Sequence, residues 1–182
     1  MVYNVNSRVI FKGGVILKKV SIYIDLYNFL AYAFKYLGGR AFLDFTKMHN
    51  YFINSDETLE KVKIYGGGSM EGLVYKLSHY PYIEVFKESI GWDKKDKRTD
   101  VNIAVDMLVD AFYNRYDKAV LLSGDTDFIK AVDEVRNLKK TVFIATTEGD
   151  GIYNARKLIA HADGSYELNK DFFQRYWLKN TR

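Results

Sequence analysis

Short apolar runs alternate with longer segments of helical periodicity along almost the whole chain, and this order constrains the fold more strongly than any other feature. The runs predict strands at residues 20–24, 60–65, 82–88, 118–123, 140–146 and 165–168. The segments between and after them predict helices at residues 28–37, 43–54, 70–80, 126–138, 152–161 and 170–177. One further helix, capped by Thr99 or Asp100, is predicted to run to about Tyr116. Because strands separated by helices pair in parallel through crossovers, we expect an α/β fold, a three-layer α/β/α sandwich with a mainly parallel central sheet.

The length and composition predict a single domain. The chain has 182 residues, 48% of them hydrophobic, which is enough for one sizeable core but too little for two full domains. Residues 20–168 are expected to form this domain, with residues 169–182 as a C-terminal helix packed on it. Residues 1–19 contain "RVIF" and "VIL" around "GG", a pattern that would suit a β-hairpin in an N-terminal extension.

The residue types exclude several classes of protein. The chain contains 0 Cys, so disulfide bonds and thiolate metal sites are excluded, and a reducing compartment suits it. No stretch approaches about 18 uncharged apolar residues, and the opening "MVYNVNSRVIFKGG" lacks the charged-then-apolar layout of a secretory signal. We therefore expect a soluble, cytoplasmic protein.

Acidic and amide side chains follow two of the predicted buried strands. Asp25 comes directly after "SIYI", with Asn28 three residues later, and Asp125 and Asp127 come after "AVLLSG". Open α/β sheets bind ligands at the carboxyl ends of their strands, so these side chains are expected in one cleft. Capping is the alternative: Asn28 can cap a helix with Asp25 in the turn, and Asp127 can lie in a first helical turn that favours negative charge. For Asp125 and Asp127, capping and metal binding can both hold.

Asp100 is the third acidic element, at the start of the predicted long helix. On an ideal helix Asp106 lies about 120° around the axis from Asp100, so the two cannot share one face cleanly. Asp106 does share a face with Asp110, and it is interpreted either as a partner that supports the metal ligands or as a solvated helix residue. Asp100 is therefore the stronger candidate ligand.

The acidic set favours a hard divalent cation. Carboxylate oxygens in a chain without Cys and with only 3 His select Mg²⁺ or Mn²⁺ over zinc or copper. Two carboxylates as close as Asp125 and Asp127 repel each other unless a cation or protons neutralise them. Asn28 is included as a catalytic residue that positions water or phosphate. The predicted metal ligands, which are also catalytic candidates, are Asp25, Asp100, Asp125 and Asp127.

Substrate contacts are expected from the rim of the cleft. The net charge of +4 permits an anionic partner without requiring one. The basic run beside Asp100 can contact phosphates, or it can be an ordinary solvated loop. Trp92 or Tyr27 could stack on an unpaired base, although packing is the commoner role of an aromatic side chain in a chain with 15 Tyr and 12 Phe. The candidate substrate-binding residues are Lys94, Lys95, Lys97, Arg98, Ser123 and Thr126.

Two other elements were considered and set aside. His49, His79 and His161 do not lie near an acidic motif in sequence, so none is assigned as a general base. The stretch "YGGGSMEG" at 65–72 lacks the Gly-Lys-Ser/Thr ending of a phosphate-binding loop, and it is interpreted as a loop bordering the cleft.

Four motifs, taken together in their order and spacing, resemble a known family. They are "YIDLYN", "KRTDVNIAVDML", "VLLSGDTDF" and "KLIAHADGSYEL". From about Val20 to Leu168 the chain resembles the NYN domain (YacP-like nuclease), LabA-like subgroup, of the PIN-like superfamily. Leu26 and Tyr27 depart from the small residue that commonly follows the first Asp, and they could narrow the cleft or reshape substrate entry.

The resemblance implies a PIN-like α/β/α fold, a Mg²⁺- or Mn²⁺-dependent acidic site and action on RNA. The positions that match the family motifs are Asp25, Asn28, Asp100, Asp125 and Asp127. The leading expectation is therefore a metal-dependent endoribonuclease acting on RNA that is single-stranded or has unpaired regions, with a homodimer as one option. The alternatives are a catalytically silent PIN-like module that binds RNA or a protein, and a metal-dependent phosphatase acting on small phosphorylated substrates.

Overall fold

A computed structural model of the protein describes residues 16–38, 43–67, 71–88, 97–147 and 152–178. The first 15 residues, where most of the expected N-terminal hairpin would fall, lie outside the described part of the chain. The strands are β1 (Lys18–Asp25), β2 (Glu57–Gly67), β3 (Ile83–Glu88), β4 (Lys118–Leu122), β5 (Thr141–Thr146) and β6 (Gly164–Glu167). The helices are α1 (Leu26–Leu37), α2 (Phe45–Met48), α3 (Glu71–Leu77), α4 (Lys97–Phe112), α5 (Ile129–Asn137), α6 (Ile152–His161) and α7 (Lys170–Arg175).

The six strands form one parallel sheet in the order β3-β2-β1-β4-β5-β6. This confirms the predicted α/β fold with a parallel central sheet. The chain first builds outward from β1 to β3 and then crosses back to β4, so the strand order reverses between β1 and β4. Ligands of open α/β sheets bind at the carboxyl ends of the strands at such a switch point. Asp25 ends β1 there, and Ser123 follows β4.

Alternating side chains give the sheet two apolar faces. Ile22 and Ile24 of β1 pack in the cluster that includes residues of α1, α2 and α7, whereas Tyr23 packs in the cluster that includes residues of α4, α5 and α6. The C-terminal helix α7 packs on α1 through aromatic rings, with the Phe29 ring 5.6 Å from that of Phe173 between centroids. Helices therefore cover both faces of the sheet. Among the described helices, none combines the length and apolarity that a membrane span requires.

Two predicted helices differ most from the structure in their bounds. The helix predicted at 43–54 is reduced to α2 and a 3₁₀ turn over His49–Tyr51, because the chain tightens there to bury Phe52 completely. The long helix begins at Lys97, so Asp100 lies in its first turn instead of capping it. It ends at Phe112 and not near Tyr116, since Asn114 adopts φ 56°, a left-handed conformation that stops a helix.

A buried carboxylate attaches α4 to the sheet. Asp110, which is 3% exposed, accepts a hydrogen bond from the Tyr23 hydroxyl at 2.7 Å and an ion pair from Lys63 Nζ at 2.8 Å. Arg115 Nη1 donates to the other carboxylate oxygen at 2.7 Å. Burial acts to raise the pKa of Asp110, but the hydrogen bonds from Lys63, Tyr23 and Arg115 outweigh it and hold the pKa below its ordinary value.

Asp106 makes a second attachment one turn earlier on α4. It accepts a hydrogen bond from the Tyr65 hydroxyl at 2.6 Å and lies 3.5 Å from Lys63 Nζ. The side chain interpreted from sequence as a supporter of metal ligands or a solvated residue therefore binds β2. Together the two carboxylates hold α4 across β1 and β2, and this fixes the position of Asp100 in the first turn of the same helix.

The lowered pKa of Asp110 predicts acid sensitivity. Its contribution to stability is complete above the ordinary pKa of an unfolded Asp, about 3.9. That contribution is lost as the pH falls through the lower pKa of the folded state, because protonation breaks the pair with Lys63. We expect the free energy of unfolding, measured by urea titration, to fall more steeply below about pH 4 in the wild type than in an Asp110→Asn variant. Equal slopes in the two proteins would contradict this.

Candidate active site

Asp25 lies at the junction of β1 and α1, at the switch point of the sheet. Its Oδ1 accepts hydrogen bonds from the backbone N–H groups of Tyr27 at 3.1 Å and Asn28 at 3.2 Å, so Asp25 is the N-cap of α1. The Asn28 side-chain amide donates to the other carboxylate oxygen. The capping alternative considered from sequence had these roles reversed, because α1 begins at Leu26 and Asn28 lies in its first turn.

The Asp25 carboxylate is buried among neutral donors. Its residue is 2% exposed, and its described partners are the amide groups of Asn28 and Tyr27 and the Ser123 hydroxyl. Burial raises the pKa of Asp25, and the hydrogen bonds from Asn28, Tyr27 and Ser123 offset this only in part. A cation close to this carboxylate would therefore favour its ionised form.

Ser123 joins the ends of β1 and β4. Its hydroxyl donates to Asp25 Oδ2 at 3.4 Å and accepts from the Asp125 backbone N–H at 3.2 Å. Ser123 was predicted as a substrate contact, but its 0% exposure places it inside the protein. It links the two acidic motifs, and a substrate in the cleft has no access to it.

Three carboxylates from two elements meet beside this junction. Asp100 comes from the first turn of α4, and Asp125 and Asp127 come from the 3₁₀ turn Thr126–Phe128 and its cap. One carboxylate oxygen of each lies within 4.8 Å of the others. Asp125 also caps the turn by accepting the Asp127 N–H at 2.9 Å, so capping and clustering hold together.

This acidic cluster has the donor chemistry of a divalent cation site. Three carboxylates at such spacing repel one another, and oxygen-only donors suit Mg²⁺ or Mn²⁺. Asp100 and Asp125 are half-buried and Asp127 is exposed, so a cation could reach the cluster from solvent. Among the described residues Asp25 is not part of this cluster, and the structure links it to Asp125 through Ser123.

Part of the predicted rim is described. Tyr27, two residues after Asp25, is 48% exposed, whereas Leu26 is buried at 6%. Arg98 is exposed on the first turn of α4, and Thr126 is half-buried beside Asp125. The proposed substrate contacts Lys94 and Lys95, together with Trp92, lie outside the described residues, and the side chain of Lys97 is not described. Their contact with substrate stays a prediction.

Gly124 allows a close approach of three elements at the site. A Cβ at this position would lie 2.8 Å from the Tyr32 hydroxyl and 3.3 Å from both Ala155 Cβ and Thr146 Oγ1. The structure therefore requires a glycine here for space. Sequence reasoning did not identify Tyr32 or Thr146 as neighbours of the site. Thr146 could have been found from the sequence, because it is the last residue of β5 and the carboxyl ends of parallel strands lie on the same side of the sheet.

We expect Gly124→Ala to lower the free energy of unfolding by about 1–3 kcal/mol, the usual cost of an added methyl group in a packed site. The substitution lies between Ser123 and Asp125, so any cleavage activity should fall as well. Tyr32→Phe in the same chain removes the atom closest to the new methyl group, and it should restore most of the stability. Urea unfolding of the single and double variants measures this. A double variant no more stable than Gly124→Ala would show that the Tyr32 contact is not the cause.

Comparison with known proteins assigns the family. The model of the NYN domain matches residues 19–169. The chain belongs to the NYN domain family. The predicted family is thereby confirmed, and membership of the PIN-like superfamily follows from it, whereas the LabA-like subgroup stays a prediction. NYN domains are a nuclease-type family, and NYN nucleases usually use divalent metals, which agrees with the acidic cluster of this NYN domain.

A solved structure shares the fold of this NYN domain. It is a protein of unknown function from Vibrio parahaemolyticus, 20% identical, with a TM-score of 0.65 over 89% of this chain and 97% of the other. At this identity the likeness concerns the fold alone. A comparison with curated proteins gives no significant match.

Proposed function

We propose that this NYN domain is a ribonuclease that hydrolyses RNA phosphodiester bonds internally, with Mg²⁺ or Mn²⁺ bound at the acidic cluster. The observation that carries the proposal is the meeting of Asp100, Asp125 and Asp127 within 4.8 Å at the switch point of the sheet. The NYN family supplies the expectation of nuclease chemistry. RNA is proposed as the substrate because the family acts on nucleic acid and because the rim of the cleft has an exposed aromatic residue, Tyr27, and an exposed basic residue, Arg98.

The residues present fit a divalent cation. Asp100, Asp125 and Asp127 would hold it, and Asp25 is placed to take part directly or through water. A bound cation of this kind activates water and stabilises the negative charge that develops on a phosphoryl group. Hydrolysis by a metal-activated water needs no covalent nucleophile.

The surrounding side chains keep the acids in place. Asn28 and the first amide groups of α1 hold Asp25, and Ser123 fixes it relative to the Asp125 backbone. The network at Asp106 and Asp110 holds α4, and Asp100 with it. Rigid support of this kind is what orients ligand side chains before a cation binds.

The rim offers contacts for a single strand. Tyr27 presents an exposed ring two residues from Asp25, where an unpaired base could stack. Arg98 is exposed two residues before Asp100, where its guanidinium could pair with a phosphate. Stacking on Tyr27 requires an unpaired base, which favours single-stranded or looped RNA over a duplex.

Cleavage assays test the proposal. Labelled single-stranded RNA, hairpin RNA, the matching DNA and mononucleotides are incubated with the protein in Mg²⁺, Mn²⁺ or EDTA. Internal cutting of RNA with either metal, and none in EDTA, is the expected result. Activity on mononucleotides alone would favour a phosphatase, and RNA binding without cutting would favour a non-catalytic module.

Metal binding has a readout that is independent of activity. With a divalent ion at about 100 times its dissociation constant, we expect a stabilisation of about 2.7 kcal/mol over the protein in EDTA. An Asp100→Asn variant, which removes one of the three clustered charges, should lose most of this shift. Thermal unfolding of both proteins with and without Mn²⁺ measures it, and equal shifts would place the metal elsewhere.

A further inference from the structure

The outer face of α4 carries an exposed apolar stripe. Four side chains of α4 and that of Tyr113 directly after it form this stripe, with exposed fractions of 58% for Val101, 48% for Val105, 38% for Val109, 71% for Phe112 and 64% for Tyr113. Apart from these residues, the exposed side chain between Val101 and Tyr113 is that of Asn102. Scattered apolar residues on a surface are ordinary, but a continuous row of this kind marks an interaction site.

The charge distribution of α4 is the reverse of that of an ordinary surface helix. A surface helix turns its apolar residues inward and its charges toward solvent. In α4, Asp110 is buried against Lys63, Asp106 binds Tyr65, and Asp100 joins the acidic cluster. The acidic side chains thus face the protein, and the outward face is left without them. A second protein surface that covers the stripe would explain why the outward face of α4 is apolar while its acidic side chains face inward.

The stripe does not suit RNA. Nucleic-acid surfaces depend on Lys and Arg that neutralise phosphates. Between Val101 and Tyr113, all of which the structure describes, the exposed residues include no Lys or Arg, and the exposed Arg98 and Arg115 lie only at the two ends of the stripe. A surface that is apolar along its centre and carries positive charge only at its ends suits another protein surface of the same character.

The spacing along the stripe is symmetric about Val105. Val101 and Val109 lie four residues to either side, and Arg98 and Phe112 lie seven residues to either side. All four fall within about 40° of Val105 around the helix axis. A two-fold axis through Val105 would therefore place two antiparallel copies of α4 in register, with each Val101 on a Val109.

We propose that a second copy of this chain covers the stripe, through an antiparallel α4 pair centred on Val105. In this pair the face of the exposed Arg98 guanidinium of each copy meets the exposed ring of Phe112 in the other, a favourable cation–π arrangement that leaves the edge N–H groups of Arg98 available to a phosphate. The Arg98 end of one helix also lies at the C-terminal end of its neighbour, where a positive charge is favoured. The stripe is therefore complementary to a second copy of itself, both in the positions of its apolar side chains and in charge.

The area of the stripe is that of a small dimer interface. An aromatic side chain carries about 150–250 Å², so the exposed parts of Phe112 and Tyr113 amount to roughly 250 Å² per copy. With the exposed parts of the three valines, the stripes of two copies amount to roughly 900 Å², just under the about 1,000 Å² expected of a biological interface. The pairing also brings Phe112 of each copy to the first turn of the other α4, two residues from Asp100, so the dimer borders both acidic clusters.

Sedimentation velocity of the wild type and two variants tests the proposal. We expect the wild type to have about twice its chain mass of 21.1 kDa at micromolar concentration. Val105→Arg places like charges opposite each other on the axis, and it should raise the dissociation constant at least about 100-fold. Tyr75→Arg, which changes an aromatic residue 73% exposed on α3, should leave the mass unchanged. A monomeric wild type, or a dimer that survives Val105→Arg, would overturn the proposal.

Single cysteines test the register, since the natural chain contains 0 Cys. Val105→Cys lies on the proposed axis and should form a disulfide-linked dimer under mild oxidation. Val101→Cys should link poorly to itself but readily to Val109→Cys when the two variants are mixed. Circular dichroism confirms that each variant is folded. Absence of linkage at position 105 in a protein that is otherwise dimeric would show that a different surface forms the dimer.

Discussion

An Asp125→Asn variant is expected to lose metal-dependent RNA cleavage by at least about 100-fold, because the loss of even an outer partner of a metal site commonly costs 10- to 100-fold. The substitution removes one of three charges that meet within 4.8 Å. It preserves the local fold, since Asn caps a turn about as well as Asp and can still accept the Asp127 N–H. The loss should therefore appear in the rate of cleavage and not in thermal stability measured in EDTA.

Asp56→Asn is the matched control for this prediction. Asp56 is an exposed carboxylate just before β2, at the amino ends of the strands and away from the acidic cluster at their carboxyl ends. The Asp56→Asn variant should therefore cut RNA at the wild-type rate. Cleavage by Asp125→Asn at the wild-type rate would exclude the acidic cluster as the site. A variant that loses activity together with its folded circular dichroism spectrum would have to be replaced by Asp127→Asn, whose side chain is exposed.

The largest effect on stability is expected from Asp110→Ala. The substitution leaves the Lys63 ammonium, 9% exposed, without its closest partner and leaves the Tyr23 hydroxyl unpaired inside the protein. Breaking a buried ion pair costs about 3–5 kcal/mol, and we expect about 3 kcal/mol here because Asp106 remains 3.5 Å from Lys63. Urea unfolding near neutral pH measures the loss.

A triple variant separates the pair from the packing around it. Tyr23→Phe, Lys63→Met and Asp110→Leu together remove the buried polar groups, and such replacements are often neutral or stabilising. We expect the triple variant to recover to within about 1 kcal/mol of the wild type. If Asp110→Ala unfolds at the wild-type urea concentration, the network does not hold α4 as described.

The sequence was informative wherever local pattern decides structure. The apolar run "VSIYI" predicted β1, and its period-two alternation sends Ile22 and Tyr23 to opposite faces of the sheet. The order of strands and helices predicted parallel pairing, since a helical crossover returns the chain in the same direction. Asp100 and Asp125 were selected because they stand at the ends of such elements. The family motifs pointed to the same residues.

The sequence pattern did not predict which residues far apart in the chain come into contact. Lys63 lies in a strand between apolar neighbours. The sequence showed that Asp106 and Asp110 share one face of a helix, but it did not show that this face pairs with Lys63. The partners of Asp106, which are Tyr65 and Lys63, were not predicted for this reason. Ser123 was predicted at the end of a strand as a substrate contact, yet the packing of β1 beside β4 buries it between two acidic motifs.

By itself, the sequence determined the α/β class, the parallel sheet, the family and the acidic residues at strand ends, because periodicity and end signals act over a few neighbouring residues. Only the tertiary structure decided which carboxylates meet. Asp100 and Asp125 are 25 positions apart along the chain, and their meeting depends on α4 crossing the sheet to reach β4. The same packing of α4 directs three acidic side chains toward the protein and leaves the exposed apolar stripe facing solvent. This difference between the two faces of α4 is visible only in the folded structure.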